Sequence, residues 1–219
     1  MYIKRTICGA FGYVYEYRKP FAKALLVPIS ILVLLGAIPI QEASSALMVL
    51  LNIVPLFIYT VLAIITHRII LLGPESVSEW GLYVPGKREF YFVLYSIGFG
   101  LLMIPLGFFA LIPAIGWALA VLATIYTMAR LFLVFPAIAT DQGWSFSDSW
   151  TATKNHQVLM MVVVAIFPFV IGIPEQVLNH VPYAGAFVNL LSAFTMVFVV
   201  AALSVAFQVI TESGGKSYP

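Results

Sequence analysis

Five long apolar stretches, separated by short polar segments, make up most of this sequence. They cover residues 21–40, 46–72, 90–140, 158–173 and 184–210. A membrane-spanning helix needs about 20 apolar residues, because each residue adds about 1.5 Å along the helix axis. Apolar residues make up 62% of the chain and charged residues only 9%, whereas a soluble domain carries roughly 25% charged residues. We therefore expect an integral membrane protein.

The stretch at 90–140 is too long for a single crossing. Pro113, near its middle, does not continue a helix easily, and Gly116 permits a tight reversal of the chain. Division at this point predicts an all-α transmembrane bundle of six spans arranged as three hairpins. The predicted spans are about 21–40, 46–72, 90–112, 114–135, 158–173 and 184–210. A re-entrant segment around Pro113 is the alternative, and it would leave four or five spans.

Basic residues are confined to one side of the six-span arrangement. All eleven lie on that side or within a turn or two of it: Lys4, Arg5, Arg18, Lys19, Lys23, Arg68, Lys87, Arg88, Arg130, Lys154 and Lys216. The opposite side carries only Glu42 and Glu175. The positive-inside rule then predicts that the N-terminus, both long polar loops and the C-terminus are cytoplasmic. The first span follows a long polar arm, so we expect it to be retained rather than cleaved as a signal peptide.

Segments outside the spans combine aromatic and basic residues. We expect residues 1–20 to form an interfacial arm and residues 211–219 a mobile tail. Residues 145–156 are predicted to form an amphipathic surface helix, because Ser145 and Asp148 have the spacing of a capping box. Such segments lie among lipid headgroups and attract anionic lipid. The predicted interfacial anchors are Trp80, Trp150, Phe146, Lys4, Arg5, Arg18 and Lys19.

Arg68 and Arg130 are the most informative charges, since each lies a turn or more inside the cytoplasmic end of an apolar stretch. A guanidinium at that depth costs a few kcal/mol unless it reaches the headgroups or finds a partner. One interpretation is that both side chains extend to lipid phosphate. The sharper hypothesis is that Arg68, Arg130 and the neighbouring His67 converge on an anion, either a lipid headgroup or a loop carboxylate. The available carboxylates are Glu75, Glu79, Asp141 and Asp148.

The chain also resembles itself weakly, hairpin by hairpin. The first helix of each hairpin ends in an Ile-Pro pair, at Pro39, Pro113 and Pro174. Arg68 begins RIILLGP and Arg130 begins RLFLVFP, and each motif is followed by serines, an acid and a tryptophan. Duplicated hairpins often build a site at their interface. Proline and basic residues also gather at span ends in unrelated helical membrane proteins, so the repeat remains one of two interpretations.

Catalytic and metal-binding patterns are missing from the sequence. No Asp, Glu or Lys lies at mid-depth in a predicted span, which disfavours an ion-coupled transporter. The histidines His67, His156 and His180 are far apart, and the single cysteine, Cys8, provides no metal-ligand spacing. There is no HExxH, nucleophile elbow or phosphate loop. We expect no metal, no cofactor and no enzymatic activity, and the net charge of +2 gives no indication of nucleic-acid binding.

Residues 130–156 carry a pattern found in known proteins. Its elements are an Arg at a helix end, Pro-Ala, a run of small residues, Ser-x-x-x-Ser-Trp, and a Thr before Lys-Asn. They are Arg130, Pro136, Ala137, Ser145, Ser149, Trp150, Thr153, Lys154 and Asn155. This segment resembles the membrane domain of glycerophosphoryl diester phosphodiesterases and related six-span proteobacterial proteins. The resemblance implies a bacterial inner-membrane location; the soluble catalytic domain is not in this sequence, so it implies no phosphodiesterase activity.

These observations favour a non-enzymatic inner-membrane protein that acts as a scaffold, an accessory subunit or a lipid-interacting protein. Its expected partners are membrane lipids, another membrane protein or a second copy of itself, and not nucleic acid. The alternative is a channel or facilitator for a small or amphiphilic solute, built where the three hairpins meet. A polar cavity reaching mid-bilayer would favour the channel, and a dry interior would favour the scaffold.

Overall fold

The computed structural model of the chain describes residues 2–38, 44–81 and 85–213. Within these ranges the chain is helical and contains no β-strand. Six helical segments are long and apolar enough to cross a membrane. They are Arg18–Gly36, Leu47–Leu72, Lys87–Leu111, Gly116–Ala139, Gln157–Leu178 and Gly185–Ser213. The predicted all-α fold with six spans is confirmed.

The spans are built from helices that follow one another closely along the chain. In order they are α1 (Tyr2–Glu16), α2 (Arg18–Gly36), α3 (Ser45–Leu72), α4 (Lys87–Gly107), α5 (Gly116–Leu131), α6 (Val134–Ala139), α7 (Phe146–Ala152), α8 (Gln157–Met161), α9 (Phe167–Ile171), α10 (Ile173–Leu178) and α11 (Gly185–Ser213). A π-helical turn, Val162–Ile166, joins α8 to α9. It ends two residues before Pro168, which has no backbone N–H to donate to the carbonyl one helical turn earlier.

Three observed spans extend beyond their predicted C-terminal ends. The fourth continues to Ala139 instead of ending at 135, the fifth continues through Pro174 to Leu178 instead of ending at 173, and the sixth continues to Ser213 instead of ending at 210. Pro174 lies in the first turn of α10, where a backbone N–H has no intrahelical acceptor, so the helix tolerates it. Residues 211–213 of the predicted tail therefore belong to α11. Residues 214–219, and most of the predicted turn at 41–45, lie outside the described residues.

The chain reverses direction at Pro113, as the sequence predicts. A 3₁₀ turn, Phe108–Leu111, follows α4, and the next residues include Ala114 with a positive φ of 65°. Helix α5 begins at Gly116, where a Cβ atom would lie 2.3 Å from the carbonyl oxygen of Phe109. Only glycine allows that approach, so Gly116 lets the two helices of this hairpin close tightly.

Both described ends of the chain and both long loops meet at one end of the bundle, which we call the polar end. Arg5 of α1 forms an ion pair of 2.9 Å with Glu212 of α11. His156, after the second long loop, lies 3.1 Å from the hydroxyl of Ser213. Arg68, before the first long loop, pairs with Asp141 in the second at 2.8 Å. An even number of crossings is required to bring these segments to the same side.

Helix α11 forms the centre of the bundle. It packs against α1, α2 and α3, and its second half is buried almost continuously. At the opposite end from the polar one, α2 and α11 approach through glycines, since a Cβ on Gly185 would lie 2.3 Å from the carbonyl oxygen of Gly36. Next to this crossing the amide of Asn189 donates to the carbonyl of Leu32 at 2.7 Å. Small residues thus permit a close helix contact that an amide hydrogen bond reinforces.

The hairpin of α4 and α5 lies at the edge of the bundle. Only 6% of the α4 span is buried, and most of its apolar side chains project outward. Leu101, Phe108, Leu111 and Trp117 are among the most exposed. Such an apolar surface is compatible with lipid and not with water, which agrees with the composition of the chain.

The N-terminal arm is helical and docks on the last span. In α1 only Thr6 and Ala10 are buried, and both lie on the face turned toward the bundle. Gly9 brings the helix close to Val205 of α11, and the ring of Phe11 lies 4.8 Å from that of Phe198. Helix α1 is therefore part of the packed structure, with its remaining surface free to contact headgroups.

We predict that Cys8 and a cysteine placed at Ala114 lie on opposite sides of the membrane. Both positions are exposed, one on α1 at the polar end and the other in the Pro113 turn. A membrane-impermeant maleimide should label Cys8 from one side only, and Ala114→Cys in a Cys8→Ser background from the other side only. Labelling of both from the same side would require a re-entrant hairpin and five or fewer spans.

We predict that Gly185→Ala destabilises the protein by about 1–3 kcal/mol, the usual cost of overpacking. The added methyl group would overlap the carbonyl oxygen of Gly36 and force α2 away from α11. Gly107→Ala is the matched control, because nothing lies within 4 Å of its Cβ position. Thermal unfolding in detergent, followed by circular dichroism, compares the two variants. Equal melting temperatures would show that the α2–α11 crossing does not depend on glycine.

Candidate functional site at the polar end

Arg68 connects the two long loops. Its Nε donates to the carbonyl of Ser76 at 3.0 Å, and its Nη1 donates to the carbonyl of Ala139 at 3.1 Å. The same Nη1 pairs with Oδ2 of Asp141 at 2.8 Å. In return the hydroxyl of Ser76 donates to the carbonyl of Arg68 at 3.2 Å. Of the four carboxylates available in the sequence, the fold thus brings Asp141 to Arg68.

Asp141 is shared between two arginines. Besides Arg68, its Oδ2 accepts from Nη1 of Arg88 at 3.3 Å, and Arg88 is also bound to Glu89 at 2.9 Å. Glu89 in turn accepts from the amide of Gly86 at 2.7 Å and caps the start of α4. Asp141 itself has a positive φ of 60°, an unfavourable conformation that the two ion pairs help to hold. This network ties the ends of α3 and α4 to the loop after α6.

His67 faces away from this network, into the bundle. It is only 1% exposed, and its Nδ1 lies 2.8 Å from the hydroxyl of Ser204 on α11. Ser204 donates its hydroxyl hydrogen to the carbonyl of Val200, so the imidazole Nδ1 is the donor to Ser204. His67 therefore links α3 to α11, and it does not join either arginine.

Arg130 has a different environment from Arg68. Its backbone carbonyl accepts hydrogen bonds from Ser149 at 2.9 Å and from Thr153 at 3.3 Å, which fastens α7 to α5. Its guanidinium carbon lies 4.5 Å from the centre of the Trp150 ring. The residue is only 3% exposed, and its Nε and Nη1 are shielded and find no hydrogen-bond partner among the described residues. No carboxylate in the described part of the chain lies within 4 Å of it.

The contacts of Arg130 do not offset the free-energy cost of burying its charge. A cation–π contact contributes about 2 kcal/mol when it is shielded from water. A buried charge without a partner costs several kcal/mol, and each unsatisfied donor adds about 1–3 kcal/mol. Arg130 is consequently the residue at the polar end whose surroundings most clearly lack an anion.

Three neighbours complete what we call the Arg130 cluster: Tyr126, Trp150 and Lys154. The Tyr126 ring, one helical turn before Arg130, meets Trp150 edge to face at 5.8 Å. Lys154 is exposed and lies four residues after Trp150 in the sequence, in the 3₁₀ turn Thr153–Asn155. Tyr126 did not figure among the predicted site residues. Its spacing of four residues from Arg130 is the only sequence pattern that points to it.

Of the predicted anchors all but Phe146 are exposed, and Trp80 has a positive φ of 66°. Three of them also contact protein groups: Phe146 packs against Tyr95, Arg5 pairs with Glu212, and Arg18 donates to the carbonyl of Tyr15. The predicted capping box at the start of α7 is present, with Asp148 Oδ2 accepting from the amide of Ser145 at 2.8 Å.

The two arginine motifs share one local contact. In each, a serine hydroxyl from the following loop or helix donates to the arginine carbonyl, Ser76 to Arg68 and Ser149 to Arg130. The serines come from different positions of their motifs, and the guanidinium groups have different partners. The threefold repeat therefore remains a prediction.

Comparison of the chain with known protein families, with curated proteins and with solved structures finds no match. The resemblance of residues 130–156 to the membrane domain of glycerophosphoryl diester phosphodiesterases accordingly remains a prediction. The site has to be interpreted from its own geometry. In the described ranges no three His, Cys, Asp or Glu residues come together in a way that could hold a metal ion.

We predict that Asp141→Asn destabilises the protein by about 1 kcal/mol, because it weakens the ion pairs to both Arg68 and Arg88. Glu79→Gln is the matched control. It removes one exposed ion pair, of 3.6 Å to Lys23, and should change stability by less than about 0.5 kcal/mol. Melting temperatures in detergent measure both. A larger effect of Glu79→Gln than of Asp141→Asn would refute the linking role given to Asp141.

Proposed function

We propose that this chain is a non-enzymatic integral protein of the bacterial inner membrane that acts as a scaffold, accessory subunit or lipid-interacting protein. The observation that carries the proposal is the apolar interior of the bundle. Between α2, α3, the fifth span and α11 the space is filled by Leu32, Leu62, Val163, Val197 and Ala201. A protein of this kind acts through its outer surface, where it contacts lipids and other proteins.

The interior gives no support to the channel alternative. Three cavities, of about 710, 680 and 510 Å³, lie at the surface of the bundle. The largest is at the polar end and is lined in part by Gln142, Asp148 and Ser213. Neither Arg68 nor Arg130 lines any of the three. A solute pathway between the hairpins would have to displace well-packed side chains.

The surface of the polar end favours contact with lipid headgroups. Exposed aromatic and basic side chains alternate around it, among them Tyr2, Lys4, Tyr15, Lys19, Trp80, Lys87, Tyr91, Trp150 and Lys154. Aromatic rings prefer the membrane–water interface, and each nearby Lys or Arg attracts anionic lipid by about 1 kcal/mol. We therefore place the polar end, with the N-terminus, both long loops and the C-terminus, on the cytoplasmic side.

The proposal predicts bound lipid and no solute flux. Purified protein should retain anionic lipid, detected by native mass spectrometry, more than Lys4→Glu/Lys19→Glu, which reverses two exposed charges of the polar end. Proteoliposomes should release encapsulated small solutes no faster than empty liposomes. Protein-dependent release of a solute would instead support a channel or facilitator, and a protein free of lipid and of protein partners after mild purification would remove the basis for a scaffold.

A further inference from the structure

We propose that the Arg130 cluster is a binding site for the phosphate headgroup of one anionic phospholipid. This inference rests on the lipid interaction proposed above and assigns it to specific residues. Arg130 and Lys154 supply the positive charge, Tyr126 supplies a hydroxyl group, and Trp150 forms one wall.

The first argument is the unmet charge of Arg130. Arg130 is only 3% exposed. Two nitrogens of its guanidinium are shielded from water and find no hydrogen-bond partner among the described residues. Arg68 at the same end shows the alternative, because its guanidinium is satisfied by Asp141 and by two backbone carbonyls. The fold thus provides Arg68 with a carboxylate from the protein. The anion that would balance Arg130 has to come from outside the protein.

The second argument is the direction of approach. A guanidinium binds phosphate oxygens in its own plane, through its edge, while an aromatic ring covers its face. The guanidinium carbon of Arg130 lies over the Trp150 ring, 4.5 Å from its centre. A phosphate that binds the edge of the guanidinium away from this ring would leave the contact in place. The ring also keeps water away from one side, which strengthens the attraction for an anion.

The charged residues near α7 differ in their surroundings. Lys154 is exposed and directly follows Thr153, whose hydroxyl donates to the carbonyl of Arg130 at 3.3 Å. Asp148, the acid of α7, is hydrogen-bonded to Ser145 and lines the 710 Å³ cavity together with residues of α11. The exposed charge next to the Thr153–Arg130 contact is consequently positive.

The surface below the cluster indicates a lipid rather than free phosphate. On α5, Leu122 lies one turn before Tyr126 and is 63% exposed. On α8, which packs against α5, Val158 is 68% exposed. A phospholipid bound through its phosphate would lay an acyl chain against these apolar side chains, whereas inorganic phosphate would gain nothing from them.

The test compares lipid retention by wild-type protein and by single variants. The proteins are purified from mixed phosphatidylglycerol and phosphatidylcholine, and the bound lipids are counted by native mass spectrometry. We expect Arg130→Gln and Lys154→Gln each to lower the ratio of bound phosphatidylglycerol to phosphatidylcholine by roughly threefold to tenfold, because one Lys or Arg near the membrane surface attracts anionic lipid by about 1 kcal/mol. Lys87→Gln is the control, since Lys87 is exposed at the same end but outside the cluster.

Lys154→Gln keeps the test decisive if Arg130→Gln fails to fold, because Lys154 is exposed and its side chain lies outside the core. A ratio unchanged in Lys154→Gln, or lowered equally in Lys87→Gln, would overturn the site while leaving a general lipid interaction intact. Loss of bound lipid from all proteins, the wild type included, would refute the lipid interaction and the site with it, whereas the scaffold role would fail only if protein partners were absent as well. Displacement of the lipid by excess inorganic phosphate would show a free-anion site and overturn the lipid assignment.

Discussion

The hydrocarbon interior of a bilayer provides no water for backbone N–H and C=O groups, and every level of this structure depends on that constraint. A helix satisfies these groups within its own segment, which is why the apolar stretches of this chain are helical. Side-chain hydroxyl groups follow the same rule: Thr60, Thr66, Ser96 and Thr127 each donate to the carbonyl four residues earlier in their own helix. With polar groups satisfied locally, contacts between helices are left to packing, as between Gly36 and Gly185, and to a few hydrogen bonds such as that of His67 with Ser204.

The basic residues have a different distribution, because those in the described ranges lie at one end of the bundle. There the ion pairs Arg68–Asp141 and Arg88–Asp141 join three segments that are distant in sequence, and Arg5–Glu212 joins the first helix to the last. Arg130 departs from this pattern, since it is buried beneath Trp150 with no carboxylate partner in the described residues. The contrast between Arg68 and Arg130 marks the place where we propose that a lipid headgroup supplies the missing anion.

The sequence predicts the spans well, because hydropathy and helix length act locally. The split at Pro113 and the capping box of Ser145 and Asp148 are equally local, and both are present. The end of the fifth span is not predicted, because the effect of Pro174 depends on whether it begins a helical turn or interrupts one. The partner of Arg68 could not be chosen from four acids, since that choice depends on how α3 and α6 pack. Nothing in the spacing of α1 predicts that it docks on α11, or that Arg68, His67 and Arg130 turn toward three different neighbours.

The docking of α1 on α11 has a consequence for biosynthesis. Arg5 and Glu212 are separated by 207 positions in the chain, so the surface of α11 that receives α1 is made long after α1 itself. At roughly 5–20 residues per second, the ribosome needs on the order of ten seconds or more to reach it. During that time α1 can contact the membrane surface and the earlier spans, as the ring of Phe11 does with that of Phe167, but not α11. The insertion of α11 then completes the docking of α1, and a ribosome that stalls before α11 leaves α1 without this contact.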